Sequence, residues 1–145
     1  MASVTIEVKG VDRLCRKLTT IQNEIPVELI KAMNKSAAIV NASAKALVPV
    51  DTGALRNSIH IKRAETHGST VTSGVVTNKE YAPYVEFGTG SRGGSPAATK
   101  LGISFNRGIK GQIAQPYLYP ALKMNRSKIE KVVAEAVIQA ARKGK

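Results

Sequence analysis

The chain has 145 residues, 43% of them apolar but only 4% aromatic and none Trp, which suits one domain around a mostly aliphatic core. Lys and Arg outnumber Asp and Glu by 22 to 10, and the net charge of +12 favours a polyanion or an acidic protein partner without choosing between them. No apolar run approaches the length of a membrane span, "MASVTIEVKG" lacks a signal-peptide core, and the single Cys15 rules out an internal disulfide or a cysteine-based metal cluster. Synthesis in the cytosol, with no membrane partner, is the expectation.

Val4, Ile6 and Val8 alternate with Thr5, Glu7 and Lys9, a period of two that predicts a half-buried strand over 3–9. Gly10 ends it. Val11, Leu14, Leu18 and Ile21 then recur at helical spacing and predict a short helix over 11–22. Pro26 suits the first turn of a second helix over 26–47. Its seam of Ile30, Met33, Ala37, Val40, Ala44 and Leu47 steps by three and four. That seam is expected to pack on the protein's own sheet or on a neighbouring subunit.

In "VPVDTGALRNSIHIKR" (48–63), Pro49 stops the helix and Asp51 or Thr52 can cap a short turn over 52–57. Gly53 keeps the turn small, and Leu55 and Ile59 are expected to pin it to the core. Alternation at Ile59 and Ile61, a turn at "THGS", and Val71, Ser73, Val75 and Thr77 predict a β-hairpin over 58–77. "YAPYVEF" (81–87) reads as an edge or broken strand because of Pro83.

Residues 88–116 then hold seven of the twelve glycines, with Arg92, Lys100, Arg107 and Lys110 and no acid. A loop of this length is functional or disordered, and it is expected to be mobile. Pro120 can open a final helix whose face is Ile129, Val132, Val133, Ala136, Val137 and Ala140, ending in a frayed basic tail at 142–145. The order β-α-α-β-β-β-loop-α predicts one α+β domain over 1–145. A small antiparallel sheet packs against a long helix, followed by the basic loop and a C-terminal helix.

Catalytic patterns are weak. His60 and His67 flank a predicted turn with no other ligand type at metal spacing. Ser58, His60 and Asp51 make a triad only on paper, since no nucleophile elbow accompanies them. "GTGSRGG" lacks the Lys-Ser/Thr ending of a phosphate loop. Tyr81, Tyr84, Phe87, Tyr117 and Tyr119 lie beside the basic loop and are expected to be core or interface anchors, with base stacking as the other option. Binding or assembly is the expectation, without cofactor or metal.

Three segments, "VPVDTGALRNSI" (48–59), "YAPYVEFGTG" (81–90) and "QPYLYPAL" (115–122), occur in one order with the glycine-rich gap between the last two. In this the chain, from its second predicted helix to its C-terminus, resembles the small tail-component family of lambdoid and related long-tailed bacteriophages and prophages. The resemblance implies a non-enzymatic virion protein of the neck or of tail completion. It would form a homo-oligomeric ring on the tail axis, hexameric at first guess, between head-closure and tail-tube proteins and near transiting DNA. It also implies that Pro49, Asp51, Thr52, Gly53 and Leu55 are architecture, as are Tyr84, Phe87, Pro116, Tyr119 and Pro120. Gly88 would serve backbone geometry, while the role of Glu86 stays open. Arg92, Lys100, Arg107 and Lys110 are the candidate contacts to subunits or to the lumen. The alternative is a DNA-binding protein of a mobile element that uses the same loop and the basic tail.

Overall fold

A computed structural model describes residues 11–144, so the strand expected over 3–9 lies outside the described residues. The fold is α+β. Helix α1 (Val11–Leu47) leads into a single-turn helix α2 (Ala54–Ser58) and a hairpin of β1 (His60–His67) and β2 (Thr70–Val76). Helix α3 (Ala82–Phe87), a 3₁₀ turn at Gly90–Arg92 and helix α4 (Pro96–Lys100) follow, and helix α5 (Leu118–Lys143) ends the described chain.

The two helices expected over 11–22 and 26–47 are one continuous helix of 37 residues that carries Pro26 inside it. An internal proline forfeits one backbone hydrogen bond, at a cost of about 3 kcal/mol. Packing offsets the loss, because the apolar positions stay in phase across the proline. Ile21, Ile25 and Leu29 are half-buried, and Ala32, Ser36, Val40 and Ala44 are buried. Glu24 and Glu28 lie on either side of Pro26, and the Nζ of Lys143 sits 2.8 Å from a carboxylate oxygen of each. One lysine of α5 therefore clamps both sides of the proline turn. The same contact engages Lys143, one residue of the basic end expected to fray.

Helix α5 runs antiparallel to α1. Small residues make close approach possible: Ala121, Ala136 and Ala140 are buried on α5, as are Ala32, Ala37 and Ala44 on α1. Buried Asn125 donates to Ser43 Oγ at 2.7 Å and to the Ala121 carbonyl at 2.8 Å, so its amide is satisfied within the helix pair. The expected seam of α1 holds at Ala37, Val40 and Ala44. Ile30 and Met33 are only half-buried and Leu47 is exposed, because the buried face reaches the end of the helix at Val48 instead. On α5, Val137 is exposed, one position round the helix from the buried row of Ala136 and Ala140.

After Val48 the chain turns. Asp51 does not cap α2. Gly53 occupies the N-cap position at φ 80°, a left-handed conformation that glycine adopts without strain, and no side chain caps the helix. Thr52 Oγ1 accepts from the Ala54 amide at 3.4 Å, just ahead of it. Leu55 and Ile59 then enter the core, as expected, beside Val40, Ala44, Val48, Val85 and Ala121.

The hairpin pairs His60 with Val76 and His67 with Thr70, with a bulge between Lys62 and Glu65. The bulge is fastened to α1. The Ala64 amide donates to Asn34 Oδ1 at 2.8 Å, and Ser73 Oγ donates to the Met33 carbonyl at 3.0 Å. It also shifts the inward residue of β1 from Ile61 to Ala64. The expected strand over 81–87 is helix α3. Pro83 falls in its first turn, where a missing amide hydrogen costs nothing, and Ala82, Val85 and Glu86 are buried along one side.

Tyr117 is fully buried and its hydroxyl has no hydrogen-bond partner. Burial, and then the charges of Glu86 and Tyr81, push its phenol up to about 12. A phenol raised in the fold contributes stability that is complete below its ordinary value near 10. That contribution is lost as the pH climbs through the raised value. Tyr117→Phe removes an unpartnered hydroxyl, so its melting temperature at neutral pH should equal or exceed that of the parent. Between pH 10 and about 12 the variant should lose less melting temperature than the parent. Parallel losses in the two proteins across that interval would show that Tyr117 does not titrate as an interior group.

Candidate functional site: a basic loop clamped by a buried carboxylate

Glu86 is the charged residue whose role the sequence leaves open. It is 3% exposed, and its carboxylate caps a helix that starts 31 residues later. Oε2 accepts from the amides of Tyr117 at 2.7 Å and Leu118 at 2.9 Å, and Oε1 accepts from Tyr119 at 3.0 Å. The first amides of a helix have no partner inside it and carry the positive end of the helix dipole. A buried carboxylate needs donors as much as those amides need an acceptor. Pro120 therefore does not open α5, which begins at Leu118; it lies inside the first turn, where its missing amide hydrogen leaves no gap.

Around this cap the two ends of the 88–116 segment are drawn together. The Gln115 amide donates to the Val85 carbonyl at 2.8 Å, and the Gly94 amide donates to Phe87 at 2.8 Å. Further out, Thr89 donates to the Gln112 carbonyl and Ser91 to the Ile109 carbonyl, so the outgoing and returning arms are laced together. Gly88 sits where the arms cross, at φ 72°. A Cβ there would lie 2.6 Å from the Gln112 carbonyl oxygen and 2.7 Å from the Ala114 nitrogen. Both the backbone angle and the close approach demand glycine. Pro116, half-buried, precedes the cap.

The four cations singled out from the sequence share this loop but not one environment. Arg107 is a structural member of it. Its guanidinium donates to the carbonyls of Ser91 at 3.1 Å and Gly93 at 3.0 Å, and stacks 5.4 Å from the centre of the Phe105 ring. Lys100 lies 5.5 Å over the ring of Tyr119. Arg92 and Lys110 are exposed and take part in no ion pair among the described residues. Leu101, Ile109 and Ile113 stand 68%, 59% and 61% exposed on the same loop, and Tyr84 is 56% exposed at its base. Sequence reasoning missed these apolar side chains as surface features. Of the aromatics expected to be anchors, Tyr117 is core, while Tyr81 and Tyr84 face outward.

The triad drawn on paper does not assemble. Ser58 Oγ donates to the Leu55 carbonyl at 2.7 Å and lies 2.6 Å from Thr77 Oγ1, while His60 Nδ1 meets only the Ser58 carbonyl. Among the described residues no cluster of three or more His, Cys, Asp or Glu forms a metal site, and no helix is long and apolar enough to cross a membrane.

Residues 12–88 match the family model described as "Bacteriophage HK97-gp10, putative tail-component". The match spans α1, the corner, the hairpin and α3, and it ends at the glycine where the loop departs. The chain belongs to this family. It is a bacteriophage tail component, a structural protein of the virion. No curated protein and no solved structure matches the chain.

Two outcomes follow from this geometry. Glu86→Ala should cost about 3 kcal/mol in chemical denaturation, since three amides lose a charged acceptor. Glu86→Gln, which keeps one oxygen, should cost less. Equal stability of all three proteins would remove the cap from the account. Limited trypsin digestion of the isolated protein should cut first within 91–114, at Arg92, Lys100, Arg107 or Lys110, because all four side chains are exposed on a glycine-rich stretch whose inward anchors are few, chiefly Ala97 and Ala98. Earlier cleavage in α1 or α5, read by mass spectrometry, would show the loop to be as firmly held as the helices.

Proposed function

We propose that this tail component forms a homo-oligomeric ring at the head–tail junction, acting in tail completion or termination, with the loop 88–116 as a contact surface. The observation that carries the reading is the composition of that loop. It presents cations without one acid and exposes large apolar side chains beside them, while its base is fixed rigidly by Glu86. Unbalanced charge interleaved with uncovered apolar surface is the make-up of an interface rather than of a solvated loop. Cyclic assembly needs two different patches on each subunit, and this loop supplies one of them. Its partners are neighbouring subunits, head-closure and tail-tube proteins, or DNA in the lumen. The DNA-binding alternative uses the same cations but loses part of its footing, since Lys143 in the basic tail is engaged by Glu24 and Glu28.

Reversing Arg92, Lys100 and Lys110 to Glu tests this reading, with Arg107 left in place because it holds the loop's own backbone. The variant should keep its circular dichroism spectrum and fail to complement a phage or prophage lacking this gene. Heads would fill and tails would polymerise, but the two would not join. Normal infectious particles would exclude the loop as an interface or DNA contact. Tails of abnormal length would identify the protein as the cap that ends tail growth. Tight duplex binding with a steep salt dependence, without any assembly, would favour the DNA-binding alternative.

A further inference from the structure

An apolar groove of about 540 Å³ runs along one side of the molecule, lined by Met33, Ala37 and Val40 of α1, Ser73 and Val75 of β2, and Leu101 at the end of α4. No residue of β1 lines it, whereas Ser73, Gly74 and Val75 of β2 do, so the groove lies beside the edge of β2 that is unpaired among the described residues, with α3 and α5 on its far side. A sheet of two strands is marginal by itself, and an open edge beside an apolar trough is a template for a further strand. Such a strand would need apolar residues at every second position, to continue the inward row of Ser73 and Val75 over α1. Outside the hairpin that alternation occurs in Val4, Ile6 and Val8, with Thr5, Glu7 and Lys9 between them, and in Leu101, Ile103 and Phe105, whose backbone and ring are already engaged within the loop by Ala97, Ala98 and Arg107.

We infer that the Val4–Val8 segment of a second copy of this chain adds to the free edge of β2 and seats Val4, Ile6 and Val8 in the groove. Reach decides between the two sources of that segment. From Val11 to Met33, α1 spans about 33 Å. A fully extended chain carries Val8 about 10 Å and Val4 about 24 Å from Val11. The chain's own triplet therefore stops short of the groove, while a neighbour's does not. The first turns of α1 also point this way. Helix α5 ends beside Lys17 and Ile21, so α1 extends past it, with Leu14 and Leu18 more than half exposed. The start of α1 thus lies beyond the end of α5, with uncovered leucines beside it. Strand addition supplies the second, different patch that a cyclic assembly needs. The inference rests on the self-assembly proposed above.

Directed disulfides test it. All chains are full length and carry Cys15→Ser. One copy carries Ser73→Cys; the other carries Val4→Cys, Ile6→Cys or Val8→Cys in turn, with Thr5→Cys and Glu7→Cys as controls on the opposite face. After coexpression, each pair is oxidised as free protein and on purified tails, and the mass is read without reductant. The expected result is a two-chain product with at least one of the three apolar positions and with neither control, since cross-strand neighbours on one face lie within disulfide range. Cross-linking that is equal at controls and apolar positions overturns the inference. So does a double variant, Ile6→Cys with Ser73→Cys, that closes within one chain. If light scattering shows an assembled protein and no disulfide forms, the inference fails while the ring reading stands. No disulfide, together with a monomeric mass in light scattering and no ring of this protein on tails by electron microscopy, overturns the two together.

Discussion

The Glu86 carboxylate is the point on which the rest of the structure turns. A charge that is 3% exposed has a heavy desolvation cost, which the protein offsets with three backbone amides at the start of α5. The exchange is reciprocal, because those amides are also buried or half-buried and would otherwise lack acceptors. One side chain thereby joins α3 to α5 and fixes the position at which the last helix begins. That start sets the register of α5 along α1. The register in turn brings Asn125 to Ser43 at one end and Lys143 to Glu24 and Glu28 at the other.

The same cap turns a long insertion into a local detour. The chain leaves the body at Gly88 and returns at Gln115, and both points lie against α3. Closing a flexible loop costs entropy that grows only slowly with length. Once the ends are clamped, Ala97 and Ala98 pack inward and Arg107 holds the arms, which leaves the remaining exposed side chains between them free of any folding role. The matched family region ends at this departure point, so the scaffold of corner, hairpin and α3 is shared ground, with the loop hung from its edge.

Much of this architecture was legible from local chemistry. Pro49 and the glycine at 53 mark the corner, alternation marks the hairpin, and Leu55 and Ile59 announce their burial. Other parts failed because the deciding partner is remote. A local rule makes Pro26 a helix start, but α5 holds the turn on both sides of it. Valine and tyrosine at 81–87 suggest a strand, yet the segment is helical because its buried side must carry Glu86 toward α5. The helix cap was unreadable for the same reason: donor and acceptor are separated by the entire loop. The bulge between Lys62 and Glu65, which shifts the inward face of β1, leaves no trace in the alternation that it interrupts.

The split among the four loop cations clarifies what kind of surface this is. Arg107 spends its planar donors on the carbonyls of Ser91 and Gly93, which a lysine's point charge would match poorly, and so gives the loop its shape. Arg92 and Lys110 are left outside that network and face solvent. Charge that shapes and charge that is displayed therefore sit side by side on one segment. The exposed Leu101, Ile109 and Ile113 belong with the displayed set, since in a purely solvated loop they would add only a risk of aggregation. On the proposed reading the displayed groups meet a partner laid across the loop, while Arg107 and the Glu86 cap hold the surface in shape.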